Sequence, residues 1–506
     1  MATLQDYRDE RLKKLDELQS LGINPYPAKA NRTHKAGDVV ASFDKLEGQV
    51  VTVAGRVTSL RKFGKLAFIV VRDFSGSVQL FITGANLEAL DAARGQLGLG
   101  EIRLLDTGDF VEATGRVIKT KTGEVSVEAT NLRILTKSLR PMPLGHEEFS
   151  NKEERFRRRY IDMNVNQDVR DRFVRRSKFW QATRSFLLDE GFIEINVPVL
   201  EHTTGGADAN PFTTHMDALG EDFYLRISHE LPLKRLIGAG YEKVFDIGPR
   251  FRNESFSDEH LPEHVATEWY WAYADWEDGM ALTQRMMRYI VDEVWGTRRF
   301  KLANGQQVDF GQDGQDFDRI SFVDVIKDRF GIDVFDTDIE EVAAKLRESG
   351  IEVEKTDSVP RGLDKLWKKI RKEIGGPVFL VDIPVFLQPL AKKQANDPRL
   401  TDQFNLVFGG TEANKAYSEL NDPVDQLGRF MEQQDLRDSG DDEAMMLDID
   451  FVEMLEYGMP PTCGYGHSER VFWMLEGVTA REGVPFPQMR SEIDQTTKAI
   501  YPDIKF

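Results

Sequence analysis

Arg252 and Glu254 flank Asn253 where the apolar run Val244-Phe-Asp-Ile-Gly-Pro-Arg-Phe turns polar. An arginine beside an acid can bind a phosphate through its guanidinium and an amino group through the carboxylate. An ordinary cross-strand ion pair fits the same spacing equally well. The loop that follows, 255–267, carries Asp258, Glu259, His260, Glu263 and His264. It is long for a hairpin, and long loops in compact domains tend to carry function. A second constellation is Gly458-Met-Pro-Pro-Thr-Cys-Gly464-Tyr-Gly466-His-Ser-Glu-Arg470. Its glycines let a backbone pass close to a flat ligand, and Arg470 opens the next helical pattern within reach of a phosphate. A third set is acidic: Glu230, Glu268, Glu412 and Glu419. Taken singly, each suits a solvated surface. Gathered unpaired in a buried pocket, they require a cation, either a metal or an ammonium ligand.

The elements that must position these residues follow from pattern. Leu4 to Ser20 reads as a polar helix closed by Gly22, Pro25 and Pro27. Packing on the next domain and an exposed basic helix touching RNA are both open to it. Residues 48–137 hold five short alternating segments punctuated by glycines, which predicts a small β-barrel. Spacing suits an oligonucleotide-binding barrel and any other small barrel alike. The run Glu153 to Tyr160 mixes acids and bases and suits a phosphate contact or a salt-bridged connector. From about 165 the pattern changes to a long amphipathic helix, a strand over Ile193, Ile195 and Val197, and further strands near 223–227, 243–247, 268–273 and 377–383. Residues 310–375 are charged and helix-rich and read as an insertion.

Composition bounds the partners. The chain has 506 residues, 41% of them hydrophobic, enough for two or three domains. No apolar run is long enough to span a membrane, and Met1 to Lys14 lacks the apolar core of a secretory signal. The single cysteine, Cys463, excludes an internal disulfide and fits a reducing cytosol, so a cytoplasmic location is expected. The net charge of −19 argues against a general nucleic-acid binder but leaves room for a local basic face.

Together these segments resemble the class II aminoacyl-tRNA synthetases and, among them, the lysine enzymes of bacterial type. Val53-Ala-Gly-Arg-Val57 and Lys119 to Glu124 are similar to the anticodon-binding barrel. Phe192 to Pro198, Phe251 to Glu254 and the glycines ending in Arg470 resemble the three class II motifs. Thr204 to Ala207, Arg226 to Leu231 and Ser418 to Pro423 are closer to the lysine enzymes than to the aspartate and asparagine ones. The resemblance implies an α+β chain: an N-terminal extension (1–45), an OB-fold anticodon-binding barrel (46–140), a linker (141–165) and a class II catalytic domain (166–506) built on an antiparallel sheet flanked by helices, with the insertion at 310–375. It implies a homodimer that joins lysine to tRNA(Lys) with ATP and Mg²⁺. Arg252 and Arg470 are the implied catalytic residues. Glu254, His260, His264 and Glu412 join them around ATP. Gly206, Glu230, Glu268, Tyr270, Lys415, Tyr417 and Glu419, with Arg252, would hold lysine. Asn405 and Glu412 would ligate the metal. Arg61, Phe68, Gln79 and Glu124 would read the anticodon.

Four positions depart from the family. Asn405 stands where a glutamate is usual, Lys415 where an asparagine is usual, and His264 where a phenylalanine stacks on adenine. Gly464 to Arg470 is about one residue short. A register shift of one would put Asn414 in the place of Lys415. These departures keep a second reading open, a catalytically impaired or non-catalytic tRNA-binding paralogue.

Overall fold

The computed structural model describes residues 3–143, 149–207, 209–354, 358–438 and 444–505. Two compact units emerge: Met1–Val165 with Gln488–Phe506, and Asn166–Pro487. The sequence-based bound of 166–506 instead includes residues 488–506 in the second.

In the first unit, the helix Leu4–Ser20 starts at a reciprocal cap. The Thr3 hydroxyl accepts the Asp6 N–H at 3.2 Å, and the Asp6 carboxylate accepts the Thr3 N–H at 2.7 Å. Leu18 enters the barrel core, and buried Arg11 donates to the carbonyls of Thr107 and Ser138, at 3.0 and 2.9 Å. The helix therefore packs on the barrel. Five strands, β1 (Val50–Phe63), β2 (Leu66–Arg72), β3 (Ser77–Thr83), β4 (Phe110–Lys119) and β5 (Val125–Thr136), close in the order β1-β2-β3-β5-β4. Strand alternation sends Ala67, Ile69, Val78, Leu80 and Ile82 inward and leaves Phe68, Gln79 and Phe81 on the outer face. The charged run beyond the barrel is a connector: Arg155 and Arg159 both pair with buried Asp162, at 2.8 and 2.9 Å.

In the second unit, β6 (Ile193–Glu194) is shorter than expected. Asn196 and Val197 turn away to donate to the Asp246 carboxylate, at 2.9 and 3.4 Å, and leave the ladder. A small sheet of β7 (Leu200–Glu201), β8 (Thr213–Met216) and β9 (Glu221–Leu225) follows. Then come β10 (Lys243–Phe251), β11 (Glu263–Ala272), the hairpin β12 (Arg299–Lys301) and β13 (Gln307–Asp309), β14 (Asp318–Ser321), β15 (Val378–Val381), β16 (Gln403–Phe408), β17 (Thr411–Glu412), β18 (Asn414–Ser418) and β19 (Thr462–Ser468). The main sheet runs β14-β15-β16-β18-β19-β11-β10-β6, with β17 beside β16. It is antiparallel except at its two edges, where β6 with β10 and β14 with β15 run parallel.

One face is apolar. Phe245, Trp269, Tyr465 and Phe404 are buried there against the helices Gln167–Asp189 and Trp276–Trp295. The Trp269 and Tyr465 rings stack at 4.9 Å. Each buried aromatic of this kind contributes about 1.5–3 kcal/mol. The opposite face carries the polar rows described below. Residues 322–370 hold three helices, Phe322–Phe330, Ile339–Glu348 and Val359–Ile370, around a core of their own.

Candidate active site

The site is built on three central strands whose register aligns its residues in rows. Glu268 on β11 pairs with Gly466 on β19, which pairs with Lys415 on β18. One step along, Tyr270 pairs with Gly464, which pairs with Tyr417. The middle strand thus has no side chain between its neighbours. A Cβ on Gly464 would collide with Glu419 Oε1 and lie 2.5 Å from Tyr270 Cε1, and one on Gly466 would lie 3.1 Å from Glu268 Cγ. The glycines form the floor of a pocket.

Around that floor stand three buried carboxylates. The helix Glu230–Gly238 presents Glu230 and, one turn on, Lys234. Lys234 is fully buried and donates to Glu230 Oε1 at 3.0 Å and to Glu419 Oε2 at 2.7 Å. The Tyr417 hydroxyl donates to Glu230 at 2.9 Å. Glu268 accepts from Ser228 Oγ (3.0 Å), the His229 N–H (3.1 Å), the Tyr270 hydroxyl (3.2 Å) and Arg250 (3.4 Å). Burial alone would raise Glu268, but His229 and Arg250 hold it at about 2. Burial raises Glu230 and pushes Glu419 well above the carboxylate range, against the pull of Lys234. Lys234 itself is raised, because Glu419 and Glu230 outweigh its desolvation, so it stays charged. The three acids thus face Lys234, Arg250 and His229, and among the described residues Glu419 Oε1 is buried without a hydrogen-bond partner. Gly206, at φ +83°, lies so close that an added Cβ would sit 2.7 Å from Glu230 Cβ and Ser228 Oγ.

The sequence reading missed Lys234, Ser228 and Arg250. Lys234 was findable, since it stands four residues from Glu230 in a helical pattern. Arg250 lies two residues before Arg252 in a strand-like pattern, a spacing that would suggest a shared face from sequence alone. Ser228 carried no such signal.

A narrow cleft adjoins the pocket. Arg250, Arg252, Glu254, Glu259, His260, His264 and Arg470 line it. The sequence reading places Arg252 and Glu254 on a strand end and His264 in the loop. In fact β10 ends at Phe251, and β11 takes in His264. Arg252 and Glu254 instead ride a turn in which the Arg252 N–H bonds the Pro262 carbonyl at 2.8 Å. His264 Nδ1 donates to the Leu261 carbonyl at 3.0 Å, and Nε2 accepts from Arg250 at 2.8 Å. Burial and then Arg250 lower it well below 6.5, leaving a neutral flat ring. Desolvation by the loop and the charges of Arg470 and Arg252 bring His260 to about 4. Burial likewise lowers Arg470, which has Glu259, Arg371, Arg252 and Glu412 as its charged surroundings. Arg371, at the end of the helix Val359–Ile370, is a further cation that sequence reading did not single out.

Glu412 accepts from the Trp367 indole and, at 3.2 Å, from the Asn405 amide. Asn405 Oδ1 accepts from Gln403 at 3.0 Å. Lys415 lies on the row with Glu268, exposed, while Asn414 faces away and accepts the Leu406 N–H. Strand alternation thus puts Lys415, and not Asn414, on the face that carries Glu268 and Tyr417.

On the outer face of the barrel, Arg61 pairs with Phe68, which pairs with Phe81, and the two rings lie 5.5 Å apart. Gln79 Nε2 donates to Ser126 Oγ at 2.9 Å, and Ser126 Oγ donates to the Glu124 carbonyl at 3.3 Å. Phe81, two residues from Gln79 on one strand face, is an addition to the expected set.

The family described as tRNA synthetases class II (D, K and N) matches residues 151–490, and an OB-fold nucleic acid binding domain matches 51–135. The lysine–tRNA ligase of Fervidobacterium nodosum is 42% identical over 500 residues, 97% of this chain and 95% of the relative. Those of Thermotoga maritima and Clostridium perfringens are each 40% identical, over 96% and 95% of this chain and 96% of either relative. The chain belongs to the class II lysine–tRNA ligase family. Its glycine-floored pocket and arginine-lined cleft occupy the family's synthetase region, and its barrel occupies the OB-fold region.

Proposed function

We propose that this protein activates L-lysine with ATP and transfers it to the 3′ end of tRNA(Lys). The observation that carries the lysine reading is Glu419 Oε1, buried in the pocket without a hydrogen-bond partner among the described residues. A substrate ε-ammonium supplies the missing donor. A neutral side chain would leave that oxygen buried and unpaired, at a cost of about 1–3 kcal/mol. Glu230 and the Gly206 carbonyl take the α-amino group, with Tyr417, Tyr270 and Glu268 closing the pocket. Arg252 takes the substrate carboxylate and the α-phosphate. Glu254 and His264 face the adenine, and His260 and Arg470 hold the far phosphate end.

The carboxylate then attacks the α-phosphorus in line, and the electron pair of the breaking bond leaves on pyrophosphate. The tRNA terminal hydroxyl next attacks the adenylate carbonyl, and AMP leaves. No protein nucleophile is required; positioning and charge neutralisation carry the chemistry.

Mg²⁺ is proposed as the cofactor. It commonly binds through one or two carboxylates plus substrate phosphates, and half-buried Glu412 fits that role; Asn405, whose amide nitrogen faces Glu412 and whose oxygen accepts from Gln403, would have to turn its oxygen to serve as a neutral second donor. The ion supplies charge neutralisation on the polyphosphate when bound. Arg61, Phe68, Gln79 and Glu124 are proposed anticodon contacts in a domain spanning 46–140, behind the extension 1–45. Residues 141–165 serve as linker, and the catalytic domain runs from 166 with the insertion at 310–375. Homodimerisation and a cytoplasmic location are proposed from the family. No described helix is long and apolar enough to cross a membrane.

The test is amino-acid-dependent ATP–pyrophosphate exchange without tRNA, across all twenty amino acids. Exchange with lysine alone is expected. A folded protein exchanging with no amino acid would move the reading to the non-catalytic tRNA-binding paralogue, which no observation here favours.

A further inference from the structure

Lys415 is a cation on the site face with no ion-pair partner among the described residues. Strand alternation sets it on the side of Tyr417, with Ala416 and Asn414 directed away. Across β19 it faces Gly466, so no side chain separates it from Glu268. On its other side the pairs Gln403–Tyr417 and Phe404–Ala416 place Asn405 next to it on the same face. Lys415 is exposed and makes no hydrogen bond or ion pair among the described residues. The neighbouring cations are engaged: Lys234 with Glu230 and Glu419, Arg250 with Glu268 and His264.

Position along β18 gives this free ammonium its task. Tyr417, two residues away, bonds Glu230, which marks the amino-group end of the pocket. Glu412, on the short strand β17, accepts from Asn405, lies among the charged surroundings of Arg470 and marks the phosphate end. Lys415 stands between them, where the substrate carboxylate must approach the α-phosphate. Two anions meet there. The neighbouring donor set is weak in charge, since Asn405 and Gln403 are neutral and Glu412 is the one carboxylate among the three.

We propose that Lys415 is a catalytic residue of the activation step, its ammonium bridging the substrate carboxylate and the α-phosphate and lowering the demand for divalent metal at Glu412. This rests on the lysine-activation reading above. The bond formed joins the carboxylate oxygen to phosphorus, and the bond broken releases pyrophosphate. Lys415 keeps its protons throughout and acts by charge alone.

The test compares wild type, Lys415→Met and Lys415→Arg. Lysine-dependent exchange is measured over a range of free Mg²⁺, and ATP binding is followed by calorimetry in chelator. Circular dichroism checks folding. The expected result for Lys415→Met is a fall in kcat of about 100-fold, the scale of losing one preorganised donor. Half-maximal exchange should also need more Mg²⁺, and metal-free ATP binding should weaken at least about tenfold. Lys415→Arg should keep most of all three. Exchange in Lys415→Met within about twofold of wild type at every Mg²⁺ level would overturn the proposal. So would a fall in kcat with unchanged Mg²⁺ dependence and unchanged metal-free ATP binding, which marks a structural role. Failure of the underlying reading shows separately, as folded wild type that gives no exchange when lysine is supplied.

Discussion

Glu419 is the residue proposed to separate lysine from the other amino acids, and its chemistry is lopsided: one oxygen is held by Lys234 and the other has no hydrogen-bond partner among the described residues. Changing it to glutamine keeps the shape and removes the charge. Glu419→Gln should raise the KM for lysine about 10- to 150-fold, the worth of one charged hydrogen bond. KM for ATP should stay near wild type; equal rises in both would refute the assignment. The raised Glu419 also carries a pH consequence. Burial pushes its pKa up in the empty pocket, and a bound ammonium favours the ionised form. Lysine binding therefore releases protons. Affinity should climb with pH from the ordinary carboxylate range up to the raised value, then level off. Calorimetry in buffers of different ionisation heat would show it, and a binding heat independent of buffer would contradict it. Most of these acids were legible as a cation-seeking set. Their number of internal partners was not, because Lys234 reaches Glu419 across 185 residues of chain.

At the scale of elements, periodicity located the barrel strands and the long helices because each has one apolar face. It failed where side chains capture the backbone. The strand over Ile193 to Val197 stops after two residues because Asp246 draws off Asn196 and Val197. The strand after the long loop starts earlier than its polar residues suggest, since Glu263 and His264 pair with Phe251 and Arg250. The glycines of β19 were legible as a close approach, but what approaches them was not. Their register makes a sharp prediction. Gly464→Ala puts a methyl where Glu419 Oε1 and Tyr270 already lie. It should cost more lysine affinity than Glu419→Gln, because it displaces two pocket walls at once. Overpacking of this kind typically costs about 1–3 kcal/mol, so Tm should fall as well. A Gly464→Ala protein with wild-type lysine KM would show the floor to be elsewhere.

At the scale of the molecule, the net charge of −19 argues against a general nucleic-acid binder and leaves a local face open, and the barrel presents Arg61, Phe68 and Phe81 side by side on its outer face. Composition averages over a surface and cannot see one face of one domain; the strand pairing can. The two compact units carry different chemistry, and that divides what each substitution should touch. The residues proposed for lysine activation all lie in the second unit, so activation should be indifferent to the barrel. Phe68→Ala removes one stacking ring from an exposed face and leaves the buried side of β2, Ala67 and Ile69, untouched. A base stacked on an aromatic ring is worth about 1–3 kcal/mol. The variant should therefore raise the KM for tRNA about 5- to 150-fold in aminoacylation while lysine-dependent pyrophosphate exchange stays at the wild-type rate. Equal losses in the two assays would mean that Phe68 serves the fold of the whole chain. Loss in aminoacylation alone, with Phe81→Ala behaving the same way, would make the paired rings one stacking platform.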